Sequence, residues 1–143
     1  MILVDANLLI YAHMRGHDRH LASRSWLDAQ INSAAPVGIA WSALLAFLRV
    51  TTNPRAYAQP SSVKDACQQA EEWLSLDSVW IPQPGPRHAD LLLNLVRITG
   101  TRGNLTSDAH LAALAIEHGL TLCSADTDFV RFPGLRWINP LTA

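Results

Sequence analysis

Three aspartates stand where a fold can gather negative charge. Asp5 closes the apolar run Met1-Ile2-Leu3-Val4 and opens Ala6-Asn7-Leu8-Leu9-Ile10-Tyr11-Ala12-His13; Asp108 lies in Leu105-Thr106-Ser107-Asp108-Ala109-His110; Asp126 follows Leu122-Cys123-Ser124-Ala125, with Asp128 two residues on. A short apolar run ended by a carboxylate and followed by a helix delivers that charge to the carboxyl edge of an open α/β sheet, where ligands bind. Taken singly, each has a plainer reading. Asp108 in the first turn of a helix, at the positive end of its dipole, helps to cap it, and Asp126 serves as an N-cap as readily as a ligand. Repetition at one edge points instead to a single site. Carboxylates so gathered repel by roughly 4 kcal/mol at about 4 Å and an effective dielectric near 20, so a cation belongs among them. Oxygen ligands without a Cys or His cluster favour a hard ion, Mg²⁺ or Mn²⁺. Such an ion orients and acidifies a water for attack on phosphorus, so phosphodiester hydrolysis is the chemistry this pattern fits.

The elements that must position these residues follow from periodicity. His17 to Ala34 carries Leu21, Trp26, Leu27 and Ile31 on one helical stripe, with Asp18 as an early cap and Pro36 beyond its end. Val37-Gly38-Ile39-Ala40 reads as a buried strand leading into a helix through Ser42, Leu44, Leu45, Phe47, Leu48 and Val50, which Asn53-Pro54 stops. Ser61-Ser62 opens an amphipathic helix, with Val63, Ala66, Cys67, Ala70, Trp73 and Leu74 on its apolar stripe and Glu71 and Glu72 outward. Val79-Trp80-Ile81 is a short strand, Arg87 to Ile98 a helix ending at Gly100, and Leu105 to His118 another, capped by Thr106 or Ser107 and ended by Gly119. Leu120 to Cys123 and Trp137-Ile138 complete the strands. Alternation of this kind predicts one α/β domain over residues 1–143, with a largely parallel sheet covered by helices on both faces.

Composition sets the outer bounds. A chain of 143 residues, 49% hydrophobic and 16% charged, is long enough to bury roughly 70% of its unfolded surface in one core. The formal charge of -1 supplies no global basic field, so nucleic-acid binding has to come from local arginines, which make up ten of the eleven basic residues. Cys67 and Cys123 read as small buried hydrophobes rather than a disulfide. With no leader pattern and no apolar run of about 18 residues, the expected location is the cytoplasm, away from any membrane.

At this point the chain resembles a known family. Val4-Asp5-Ala6-Asn7, Ser107-Asp108-Ala109-His110-Leu111-Ala112-Ala113-Leu114-Ala115 and Ser124-Ala125-Asp126-Thr127-Asp128-Phe129 look like the PIN-domain signature, specifically that of VapC-type toxins of toxin–antitoxin pairs. The resemblance covers essentially the whole chain. It implies a five-stranded parallel sheet, a metal-dependent endoribonuclease acting on an RNA substrate, a homodimer, and inhibition by a VapB-type antitoxin. Carried over by position, Asp5, Asp108 and Asp126 are the metal-binding, catalytic aspartates, and Asp128 is an accessory that binds a second ion or positions water. Asn7 orients Asp5 or caps the first helix; Ser124 contacts a metal water or makes a turn hydrogen bond.

One departure from the pattern stands out. The family usually has a Glu in a Leu-Ala-Glu-Leu-Arg run, whereas this chain reads Leu45-Ala46-Phe47-Leu48-Arg49, and Phe47 can neither ligate a metal nor act as a base. Glu117, nine helical steps from Asp108, falls near the opposite face and is no obvious substitute. Some PIN toxins share the Trp41 to Arg49 segment followed by Thr52-Asn53-Pro54-Arg55, which marks the departure as a subfamily trait. For substrate contact the candidates are Arg15, Arg19, Arg49, Arg55 and Arg102, since sequence-independent affinity for RNA comes from charge near its backbone. His13 and His110 are expected to pack helices, and Trp26, Phe47, Trp73 and Trp80 to fill core or dimer contacts, with Trp41 unassigned. The reading from a different class is a degenerate PIN module that binds RNA or a protein partner without cutting. An aspartate-based phosphatase or receiver domain is set aside, because Asn7 stands where the first needs a second Asp and Lys64, the single lysine, lies on an outward helix face.

Overall fold

The computed structural model describes residues 1–142. Strand β1 (Ile2–Val4) runs into helix α1 (Ala6–His13), followed by α2 (His20–Ile31), β2 (Val37–Gly38), α3 (Trp41–Thr51), α4 (Val63–Leu74), β3 (Val79–Trp80), α5 (His88–Thr99), α6 (Leu105–His118) and β4 (Thr121–Cys123). A 3₁₀ turn over Thr127–Arg131 then leads to β5 (Trp137–Ile138). All five strands are parallel in one sheet, ordered β3-β2-β1-β4-β5. The chain builds outward from β1 on one side, then returns to build on the other. The resulting crevice between the carboxyl ends of β1 and β4 is the switch point at which such sheets bind ligands.

Burial explains why the strands read as continuous apolar runs. Val4, Val37, Ile39 and Cys123 face one core with α1, α3 and α4, while Leu3, Ala40, Leu120 and Leu122 face another with α5 and α6, so both faces of the sheet are covered. On α6, Ala109, Ala112, Ala113 and Ala115 are fully buried, and these small side chains let the helix lie close to the sheet. Gly100 and Gly119 end α5 and α6 with φ of 65° and 68°, the left-handed backbone that a Cβ disfavours.

Several local expectations shift. Helix α2 is shorter than its apolar pattern, Leu21 is 81% exposed, and Arg19 occupies the cap position while Asp18 pairs with His17 at 3.0 Å. Neither Thr106 nor Ser107 caps α6; Asn104 stands there without a side-chain bond, and the Thr106 hydroxyl donates to the Gly103 carbonyl at 2.8 Å. Ser62 does cap α4, accepting from the Asp65 N–H at 3.0 Å. Cys67 is exposed, because the buried face of α4 is Ala66, Ala70 and Trp73 and the next residue along turns about 100° away. Cys123 is buried as expected, which pushes its thiol up to about 12.

Candidate metal centre

The site is assembled by strand register. Val4 pairs with Cys123 and the Asp5 N–H continues the ladder onto the Cys123 carbonyl at 3.0 Å, which sets Asp5 beside Ser124. The Asp5 carboxylate heads α1: Oδ1 accepts from the Ala6 N–H at 2.7 Å and Oδ2 from the Ser124 hydroxyl at 2.8 Å.

Ser124 is bonded at every polar atom. Its N–H donates to Ile138 and its carbonyl accepts from the Trp137 indole, each at 3.1 Å. Its Oγ accepts from the Asn7 amide at 3.0 Å and from the Asp126 N–H at 3.0 Å, both groups that only donate. The single hydroxyl proton is therefore committed to Asp5. Asn7 in turn accepts from the Ala125 N–H at 3.3 Å, so it ties α1 to the β4 loop rather than capping α1.

Asp126 caps the 3₁₀ turn by accepting from the Asp128 N–H at 2.9 Å. That role coexists with a second one: one carboxylate oxygen each of Asp108, Asp126 and Asp128 lie within 4.8 Å of one another. Asp128, expected only as an accessory, belongs to this tight group. Asp5 stands beside the group rather than within it, close enough for its charge to act on Asp108.

The electrostatics are those of a site that wants a cation. Asp108, in the first turn of α6, is pushed up to about 6, first by desolvation and then by the charges of Asp5, Asp126 and Asp128, with Arg131 opposing. Burial also raises the Asp5 carboxyl, while the bonds from Ser124 and Ala6 hold it down. Half-buried oxygen donors that repel one another fit Mg²⁺ or Mn²⁺, which accept few carboxylates and retain waters. Ser124→Ala would strand the Asn7 and Asp126 donors, and a loss of about 1–3 kcal/mol is expected as a lower urea midpoint at constant slope. In the same variant the Asp5 carboxyl, stripped of one bond that favours its charge, should titrate still higher by NMR.

The remaining candidates separate cleanly. Phe47 is fully buried, edge-on to His13 at 5.3 Å and Trp73 at 4.9 Å. His13 ends α1 and Asp5 begins it, roughly 12 Å apart along the helix, so position 47 serves the aromatic core at the far end. The Glu117 carboxylate accepts from the Gly85 and Arg87 N–H groups at 2.8 and 2.9 Å and anchors the start of α5. His110 packs against His88, Nδ1 to Nε2 at 3.0 Å, joining α5 to α6. Arg15, Arg19, Arg49, Arg55 and Arg102 are all exposed, and none bonds to the acidic group. The cation that does is Arg131, which the sequence pattern overlooked: Nη2 donates to Asp128 Oδ1 and Nε to the Asp128 carbonyl, both at 3.0 Å. Its signal was the three-residue spacing after Asp128 in a helical turn, a pairing that is routine on surfaces. A cleft of about 1130 Å³ is lined by His13, Arg15, Tyr57 and Gln69 and by none of the clustered acids. The acids are half-buried at the carboxyl end of the sheet, away from that cleft.

The family model for the PIN domain matches residues 2–135. Ribonuclease VapC37 of Mycobacterium tuberculosis is 43% identical over 140 residues, 98% of this chain and 97% of that protein. Ribonuclease VapC33 of the same organism is 40% identical over 141 residues, 99% of each. Among solved structures, VapBC2 from Rickettsia felis bound to a promoter DNA fragment superposes with a TM-score of 0.70 at 18% identity, covering 97% of this chain and 98% of that one. M. tuberculosis VapC20, a Sarcin-Ricin loop cleaving toxin, gives 0.68 at 19%, covering 95% and 99%.

Proposed function

The chain belongs to the PIN domain family, in the VapC branch that its sequence relatives define, and on that premise we propose that it is a divalent-metal-dependent endoribonuclease, the toxin of a toxin–antitoxin pair. The observation that carries the reading is the trio Asp108, Asp126 and Asp128, gathered within 4.8 Å at the switch point of the sheet with Asp5 alongside. These residues would hold Mg²⁺ or Mn²⁺, which when bound supplies an acidified water for attack on phosphorus and offsets the charge that develops there. Asp108, Asp126 and Asp128 are the direct ligands of this proposal. Asp5 adds charge from the β1 end and is aimed by Ser124, whose hydroxyl Asn7 and the Asp126 N–H hold in place. Because Asp108 keeps its proton up to about pH 6, that proton must leave before an ion binds, and metal affinity should fall below that pH. The solved VapBC complexes support a VapB-type antitoxin as partner, and a homodimer working in the cytoplasm completes the proposal. Among the described residues no helix is long and apolar enough to cross a membrane.

The test is cleavage of labelled RNA by the purified chain with Mg²⁺, with Mn²⁺ and with EDTA. Cleavage that EDTA abolishes and Mg²⁺ restores is expected; equal cleavage in EDTA would remove the metal from the mechanism. An intact RNA, together with no stabilisation by either ion, would favour the non-catalytic module that Phe47 raised. At a free ion concentration about 100 times its Kd, binding should stabilise the fold by roughly 2.7 kcal/mol, seen as a higher melting temperature at pH 7.5.

Asp108 also gives the metal-free protein a defined pH dependence. Its folded pKa, about 6, lies above the ordinary 3.8, so its stabilising contribution is complete below 3.8 and lost as pH rises through about 6. Metal-free wild type should therefore lose stability relative to Asp108→Asn between pH 4 and about pH 6.5, as read by urea denaturation across that range.

A further inference from the structure

An anionic substrate approaching this site meets an unsolved problem of charge. Three clustered carboxylates less one divalent ion leave a net negative charge, with Asp5 adding to it, and an RNA phosphodiester is itself an anion. Arg131 is the one cation bonded into the group among the described residues. Its guanidinium is clamped from one side by the Asp128 carboxylate and carbonyl, which uses two of its five N–H groups and leaves three without a protein partner. The side chain remains 36% exposed beside the acids. A guanidinium fork held by a carboxylate on one edge presents the geometry that suits phosphate on the other, and less rotamer freedom remains to be lost on binding. The five arginines expected to grip RNA have no such anchorage: each is exposed with no bond to the acidic group.

We propose that Arg131 is the phosphate-gripping residue of this site, receiving an RNA backbone phosphate beside the bond to be cut while Asp128 holds it in position. The inference rests on the ribonuclease reading for its substrate, but not for its measurement. Binding of a short fluorescein-labelled single-stranded RNA is followed by anisotropy across a salt series, in an Asp5→Asn background that suppresses cleavage, with and without R131Q or R131K. R131Q is expected to weaken binding about tenfold and to flatten the slope of log K against log salt by about 0.7, one phosphate's worth, while R131K keeps most of the slope. Thermal-shift titration of R131Q with Mg²⁺ should give a midpoint at or below the wild-type one, because loss of a neighbouring cation does not weaken an acidic metal site. In cleavage assays R131Q should raise KM about tenfold with little change in kcat. An unchanged salt slope, or a lower kcat with weaker Mg²⁺ binding and unaltered KM, would show that Arg131 only props Asp128 and would overturn the proposal. A wild type that binds RNA through Arg131 yet never cuts it would sustain the grip and remove the ribonuclease reading. An R131Q protein that binds and cuts RNA as well as wild type would do the reverse, removing the grip and sustaining the ribonuclease reading.

Discussion

Asp5→Asn is expected to lower RNA cleavage by about three orders of magnitude while leaving the melting temperature within a few degrees of wild type. Asp5 supplies charge to the metal site and is the sole acceptor of the Ser124 proton, so the substitution weakens attraction for the ion and frees the hydroxyl that organises the β4 loop. Charge stabilisation by a bound metal is worth several kcal/mol, and each 1.36 kcal/mol is tenfold in rate. The fold should tolerate the change because Asn caps helices as well as Asp, so the bond from the Ala6 N–H survives. Two opposing terms then nearly cancel. The new amide points a donor at a hydroxyl that already accepts two bonds, while repulsion from Asp126 and Asp108 is relieved. The same loss of charge should bring the Asp108 carboxyl below its present value of about 6, measurable by NMR pH titration of metal-free protein. Cleavage within tenfold of wild type, in preparations shown free of host nucleases, would exclude Asp5 from the chemistry and leave the three clustered aspartates to account for it.

Phe47→Glu is expected to destabilise the protein by about 4 kcal/mol or more rather than to improve its activity. Truncating a buried Phe costs about 3–5 kcal/mol on its own. A carboxyl in the same space must also surrender its charge or find a partner, and buried carboxyls respond with a pKa near 8–9. Phe47 is fully buried between His13 and Trp73, and the acids lie at the other end of α1. Against the roughly 5–15 kcal/mol typical of folded domains, such a loss would leave a measurable unfolded fraction and a much lower urea midpoint. A folded Phe47→Glu protein with tighter Mg²⁺ binding would instead show that position 47 opens onto the metal site. The expected outcome makes Phe47 a core residue whose type says little about catalytic competence, since Asp128 already brings the clustered carboxylates to three.

Much of this molecule is legible in one dimension, because the signals are local. Strands β1 and β4 announce themselves as apolar runs closed by carboxylates, and α6 runs from Leu105 to His118 as its spacing and Gly119 predict. Alternation of strands and helices implied a parallel sheet with both faces covered, which is the architecture found. Periodicity put Leu21 and Cys67 on apolar stripes, yet both are exposed, because the face each helix buries is narrower than its stripe of apolar residues.

The sequence by itself determined that Asp5, Asp108 and Asp126 would reach one edge of one sheet, since each follows a strand or opens a helix there. Only the tertiary structure set the distances among them. The β1–β4 register, which joins residues more than a hundred positions apart, set Ser124 against Asp5 and committed its proton. The 3₁₀ turn after Asp126 swung Asp128 into the tight group and drew Arg131 back onto it. Spacing along the chain fixes direction within an element, but distances between groups on different elements depend on strand register and turn geometry, which no local pattern encodes.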